Sequence, residues 1–241
     1  MIETIHLTKT FGDKTAVNDL TLSIPAGQLF AFIGPNGAGK STTIKLLTGL
    51  LIPTRGQALI GGRDIRRQPV AAKRMIGYIP DFPFLYERLT VREFMDFIAG
   101  IYGLDPALRE GREEHYLNLF GLEEHAGELV RNLSHGYRQR LVFAATFLHR
   151  PRVLIIDEPM VGLDPRTGRL IKDILKDHCR RGGTVFLSTH TLSVAEEIAD
   201  RVGVIDHGRL IAVGSLDQLR EESGEKGRLE EVFFKLTEEA G

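Results

Sequence analysis

Gly34, Gly39, Lys40 and Ser41 stand in the spacing G-x-x-x-x-G-K-S inside the stretch FIGPNGAGKSTT, residues 32–43. An apolar run, QLFAFIG, leads into it and a helical pattern, STTIKLLTGLL, follows. Gly34, Pro35, Asn36, Gly37, Ala38 and Gly39 therefore read as a strand-to-helix loop whose backbone N–H groups turn inward on a phosphate chain. Lys40 would reach the terminal phosphates and the Ser41 hydroxyl could ligate Mg²⁺. Thr42 extends the helix start, where the helix dipole adds partial positive charge. The bland alternative is a Gly-rich turn before an ordinary helix. A chance match in a chain of average composition is on the order of one in a hundred. The glycine order also differs from G-x-G-x-x-G, which carries no lysine, so a dinucleotide redox role is disfavoured.

A second apolar run, RVLIIDEP, puts Asp157 and Glu158 at a strand's C-terminal edge, where open α/β sheets gather ligand groups. Asp157 could hold Mg²⁺ directly or through water. Glu158, pointing the other way if the strand continues, is suited to take a proton from an attacking water. Alone, such a pair would more often be a polar turn, but the chemistry at Gly34 needs it as a partner. His190 ends a third run, TVFLSTH, at the same edge and could donate to a γ-phosphate. Ser134 and Gly136, in LSHGYRQRL, sit just ahead of a helical run and could offer a hydroxyl and N–H groups to another phosphate; an N-capped basic helix is the plain alternative.

The elements that must position these groups are legible in outline. The first 80 residues read as strands split by turn residues: IETIHLTKTF, TAVNDLTLSI, QLFAFIG, GQALIGGRDI and MIGYIP, with one helix after Lys40 that stops at Pro53. From Thr90, which forms a capping box with Glu93, the pattern turns helical to about residue 131, with no convincing strand. Strands and helices then alternate: VLIIDEP, a helix with Asp164 as N-cap and Pro165 in its first turn, TVFLSTH, the helix TLSVAEEIADR, and a hairpin about His207-Gly208. Short wholly apolar strands each followed by a helix are the mark of a buried parallel sheet. Ser215 and Gln218 cap one more helix before an amphipathic tail.

Composition narrows the class. The chain has 241 residues, 42% of them hydrophobic, with 31 basic and 32 acidic residues and a net charge of −1. That balance gives no global field for nucleic acid, and none is expected as a partner. The single cysteine, Cys179, and an N-terminus without a signal-peptide pattern point to a reducing, cytoplasmic setting. No stretch is long and apolar enough to span a bilayer, so any work at a membrane would go through a partner. Residues 82–102 hold Phe82, Phe84, Tyr86, Phe94, Phe97 and Tyr102, six of the chain's 13 Phe and 5 Tyr. A helical insert this small cannot bury them all, which predicts an exposed groove able to accept a partner helix. The cluster Arg63, Arg66, Arg67, Lys73 and Arg74 reads as a solvated face, with lipid headgroups a minor alternative.

Taken in order, these motifs resemble the ATP-binding subunit of an ABC (ATP-binding cassette) transporter, and the resemblance covers nearly the whole chain. LSHGYRQRL is similar to the family signature, GLD at 162–164 to its D-loop, and STH at 188–190 to its switch histidine. The resemblance implies an α/β P-loop NTPase cassette: a mixed parallel core sheet with an N-terminal antiparallel β part (1–81 and 132–214), a helical subdomain (82–131) and a C-terminal helical tail (215–241). It implies ATP as substrate with Mg²⁺, Glu158, His190 and Lys40 as catalytic groups, and Phe11, 23 residues before Gly34, stacked on adenine. An aromatic near a hairpin is also often simple packing. Ser134 and Gly136 would serve the ATP of a second cassette, making a head-to-tail dimer, and a separate transmembrane subunit would dock near 82–102. The chain would then lie on the cytoplasmic face of the cell membrane.

The pattern departs from the family in places. Asp81 stands where most relatives have a glutamine that touches Mg²⁺; it could bind the metal more strongly or merely shape the PDFP turn. His135 and Tyr137 replace a glycine and a glutamine in the signature. The tail LEEVFFKLTEE resembles that of exporters of the ABC-2 type, without excluding import. A soluble ABC ATPase acting on ribosomes or DNA is the alternative, although such relatives usually carry paired cassettes or a long coiled-coil insertion. A GTP switch would need an N-K-x-D or T-K-x-D motif, which the sequence lacks.

Overall fold

The computed structural model describes residues 1–240 except Pro83, Val161, Gly162 and Lys226, with side chains to Glu238. The last residue of the PDFP turn and the first of the GLD motif thus lie outside the described residues. The chain runs β1 (Ile2–Phe11), β2 (Lys14–Ile24), β3 (Leu29–Ile33), α1 (Lys40–Leu47), β4 (Arg55–Ile60), β5 (Arg63–Asp64), α2 (Pro69–Lys73) and β6 (Ile76–Ile79). It continues through α3 (Val91–Ile101), α4 (Pro106–Leu119), a 3-10 turn (Val130–Asn132), α5 (His135–Phe147), β7 (Val153–Asp157), α6 (Pro165–Arg180) and β8 (Thr184–Thr189). It closes with α7 (Leu192–Ile198), β9 (Arg201–Asp206), β10 (Arg209–Gly214), α8 (Leu216–Ser223) and α9 (Leu229–Ala240).

Two sheets result. The four-stranded one, in order β2-β1-β4-β5, is antiparallel throughout. The six-stranded one, in order β10-β9-β3-β8-β7-β6, is parallel except for its edge strand β10. Every residue of β3, β7 and β8 is buried, as expected of strands covered on both faces. Alternation along them splits the core. Phe30, Phe32 and Phe186 face α1 and the antiparallel sheet, where they pack with Ile44, Leu46 and Leu47. Leu154, Ile156, Val185 and Leu187 face the helical side, with Met95, Phe120 and Phe143. Fully burying each such side chain stabilises the fold by roughly 1.5–3 kcal/mol. The tail helix α9 closes a third cluster through Leu229, Val232 and Leu236, against Val202, Val204 and Leu219.

The caps form as the sequence implied. Thr90–Glu93 and Ser215–Gln218 make capping boxes, and Asp164 caps α6 ahead of Pro165. Between Thr90 and Leu129 there is only an isolated bridge. Two local expectations need correcting. GQALIGGRDI is not one strand: Gly61-Gly62 turn it back, so that Ile60 pairs with Arg63. And the helical run after the signature starts earlier, at His135, which places Gly136 inside the first turn of α5 rather than ahead of it. The reason is Ser134, whose side chain accepts from Tyr137 N at 3.4 Å and so caps the helix at that point.

Candidate functional site

The loop from Gly34 to Gly39 emerges from the buried end of β3 and opens α1, with Gly39 itself as N-cap. Its glycines are dictated by space as much as by conformation. A Cβ at Gly34 would lie 2.2 Å from the Ile205 carbonyl oxygen, and one at Gly39 would lie 2.4 Å from that of Ala16, at a left-handed φ of 111°. The β9–β10 hairpin and β2 therefore press on the loop from behind, and Gly208 N donates to Ala38 O at 2.9 Å. Such a cradle keeps its inner face clear for a phosphate chain. Lys40 is 9% exposed, and its ammonium donates to Gly34 O at 2.6 Å and Pro35 O at 3.1 Å. Burial lowers its pKa, while Glu158 and Asp157 nearby push it back up.

Three strand ends meet this loop. Asp157 closes β7 opposite Ser188 of β8. Burial raises its pKa, the facing hydroxyls of Ser188 and Ser41 lower it, and the charges of Glu158 and Asp81 raise it again. A serine hydroxyl and a carboxylate side by side suit Mg²⁺, which prefers oxygen ligands and keeps several waters. Among the described residues no group of three or more His, Cys, Asp or Glu is gathered to hold a metal alone.

Glu158 departs from the expected geometry. The strand does not continue through it: its φ is 49°, and its N–H donates to Ser188 O at 3.0 Å. The left-handed turn aims the side chain along the end of β8 instead of across the sheet. There Oε1 accepts from His190 N at 2.8 Å and His190 Nδ1 at 2.7 Å, and Oε2 accepts from Thr189 Oγ1 at 3.0 Å. Three donors hold a carboxylate that is only 13% exposed. A non-glycine residue in this conformation costs of order 1–3 kcal/mol and is kept where surroundings over-determine it, as this clamp does. With Nδ1 engaged, His190 presents Nε2 outward.

Asp81 follows β6 as a half-buried carboxylate. Its pKa is raised by burial and by Glu158 and lowered by His190 and His135, so it sits within the electrostatic reach of the site. Phe11 ends β1 at 48% exposure with the Lys9 ammonium 4.9 Å from its ring centroid. Ser134 caps α5 and Gly136 lies in its first turn, and no described hydrogen bond or ion pair joins them to the cradle. Ser188, Thr189 and Thr43, whose hydroxyl donates to Gly39 O at 3.0 Å, were not singled out from sequence. The STH motif contained two of them, but only the β7–β8 pairing reveals what they hold.

The crowded aromatics divide as predicted. Phe94 is buried, while Phe82, Phe84 and Tyr86 are 76%, 97% and 57% exposed. Phe84, Leu85, Phe94, Ile98 and Tyr102 line a cavity of ≈ 290 Å³ closed by Val142 and His149. Tyr102 stacks on His149 at 3.7 Å between centroids, and His149 Nε2 lies 3.0 Å from Ile76 O.

The chain matches the ABC transporter family over residues 17–161. Across 98% of its length it is 37% identical to YbhF of Escherichia coli (strain K12), a probable multidrug ABC transporter ATP-binding protein, of which it spans only 41%. It is 36% identical over 91% of its length to the linearmycin resistance ATP-binding protein LnrL of Bacillus subtilis (strain 168), covering 70% of that protein. It is 38% identical over 92% to the daunorubicin/doxorubicin resistance ATP-binding protein DrrA of Streptomyces peucetius, covering 68%. A solved ATP-binding subunit of an ABC transporter superposes with a TM-score of 0.94 at 35% identity, over 98% of this chain and 99% of that one. The MJ0796 cassette, a post-hydrolysis dimer bound to ADP and Pi, gives 0.81 at 26% identity, over 90% and 99%.

Proposed function

The chain belongs to the ABC transporter family, and from that premise we propose that it is the ATP-hydrolysing subunit of an exporter whose membrane-spanning part is a separate polypeptide. One observation carries the reading: the Gly34–Ser41 cradle meets Asp157 and the clamped Glu158 at adjoining ends of one parallel sheet. ATP entering the cradle draws the Lys40 ammonium from the Gly34 and Pro35 carbonyls onto its terminal phosphates. Ser41 and Asp157, with Asp81 as a further oxygen donor, hold Mg²⁺, which offsets phosphate charge when bound. Glu158 takes the proton of a water attacking the γ-phosphate in line, and His190, held at Nδ1 by Glu158 and carrying a proton on both ring nitrogens, donates from Nε2 to that phosphate. Phe11 supplies a face for adenine.

Ser134 and Gly136, which no described hydrogen bond or ion pair joins to the cradle of their own chain, complete the site of a second cassette, so ATP joins two copies head to tail. The dimeric MJ0796 neighbour supports this arrangement, and the drug-resistance relatives support export. The apolar cavity behind Phe84 receives a segment of the membrane subunit, which would place the chain on the cytoplasmic face of the membrane. No described helix is long and apolar enough to cross one.

Glu158→Gln tests the core of this reading. Phosphate release should fall by about a hundredfold or more while ATP-dependent dimers accumulate in size-exclusion chromatography. Hydrolysis at the wild-type rate would overturn the assignment, and equal competition by GTP would overturn the choice of ATP.

A further inference from the structure

Tyr137 stands in the signature where the family pattern has glutamine, and its surroundings give it a task that an amide could not perform. Its ring packs against His125 at 4.2 Å between centroids, tilted by 52°. On the same helix, one turn on, the Arg140 guanidinium lies 5.1 Å from the ring centroid. Arg140 in turn leaves its helix altogether: it donates to Thr167 Oγ1 and, at 3.3 Å, to Asp164 Oδ2. The Thr167 hydroxyl donates to Asp164 Oδ2 at 2.6 Å, and Asp164 Oδ1 accepts from the N–H groups of Arg166 and Thr167 at 3.0 Å each. The helix capped by Ser134 is therefore tied, through Tyr137 and Arg140, to the first turn of α6 and to the segment ending at Asp164.

We propose that Tyr137 is a positioning residue for ATP-driven dimer closure, holding Arg140 against Asp164 so that Ser134 and the 163–164 segment move as one body. The proposal rests on the reading that Ser134 meets the partner cassette's ATP. Ser134 belongs to the motif assigned there to the face between two cassettes, and rigid coupling of it to the segment ending at Asp164 removes one degree of freedom that closure would otherwise have to freeze. The ring does this through its π system, with the His125 imidazole 4.2 Å and the Arg140 guanidinium 5.1 Å from its centroid. Its hydroxyl is not needed.

The experiment uses the full chain carrying Glu158→Gln, with ATP-dependent dimerisation followed by analytical ultracentrifugation and nucleotide binding to the monomer followed with a fluorescent ATP analogue. Tyr137→Phe should keep the parent's dimer affinity within about twofold, whereas Tyr137→Gln should weaken it by about five- to tenfold, as loss of a cation–π contact predicts. Monomer binding should stay level in both, and so should circular dichroism. Arg140→Gln should reproduce the Tyr137→Gln defect, and the double variant should be no worse than either single one. Additive losses, or a Tyr137→Gln variant that dimerises like its parent, would overturn the positioning role alone. A parent that binds ATP but never dimerises would instead overturn the reading on which it rests.

Discussion

Around Lys40 the chain surrounds a future ligand with backbone, whereas around Phe84 it holds large apolar side chains out into solvent. The cradle is specified by contacts that leave no slack: carbonyl oxygens of Ala16 and Ile205 stand where any Cβ at Gly39 or Gly34 would go. The groove is specified by packing beneath it, where Phe94, Phe120, Phe143 and Met95 are buried in one cluster. A phosphate site has to be rigid before the ligand arrives, because its donors act through direction. A docking groove only has to present area, and exposed aromatic side chains provide that at small conformational cost.

The two regions can be separated by mutation. Phe143→Ala strikes the packing under the groove and should lower stability by about 3–5 kcal/mol, read in denaturant unfolding, while the folded fraction still binds nucleotide normally. If binding falls in proportion for the folded molecules, the two regions are not independent. Gly39→Ala strikes the cradle and should cost about 1–3 kcal/mol, seen as a ten- to hundredfold loss of ATP affinity by equilibrium dialysis. Unchanged affinity would show that the loop shifts freely.

Asp164 belongs to neither region but to the link between α5 and the first turn of α6. The Thr167 hydroxyl and backbone N–H, then Arg140 and the Arg166 N–H, hold its pKa at about 2, below the ordinary 3.8. A carboxyl depressed in the folded state lends stability above its unfolded pKa and loses it as the pH falls through the folded one. The Tm difference between wild type and Asp164→Asn should therefore be constant above pH 3.8 and shrink as the pH approaches about 2. A gap that persists unchanged at the lowest pH would place the effect elsewhere. Phe84→Ala should do least: at 97% exposure its removal should alter stability by no more than about 0.5 kcal/mol, while capture of the membrane subunit weakens. A large loss of stability would mean that the ring is packed in solution.

How far the molecule could be read from its residues varied with the range of the interactions involved. Thr90, Asp164 and Ser215 cap their helices as expected, because a cap and its partner N–H groups lie within three residues. The run of buried strands was legible for the same reason: continuous apolar segments leave no polar face. The direction of Glu158 was not. A strand extrapolated through Asp157 points the next side chain across the sheet, and only the hydrogen bonds from His190 and Thr189 explain why the backbone turns left-handed instead. Gly136 falls inside the first turn of α5 because Ser134 caps the helix there and a glycine so near the start does not interrupt it.

By itself the sequence determined the phosphate cradle, the family resemblance and the order of strands and helices, since each depends on residue types at short, fixed spacings. The tertiary structure alone decided that Asp157 meets Ser41 and Ser188, that β8 clamps Glu158, and that Arg140 reaches from α5 to Asp164. Those contacts join residues 24 to 116 positions apart, and they exist only because parallel strand pairing and helix packing bring distant segments to one edge of the sheet.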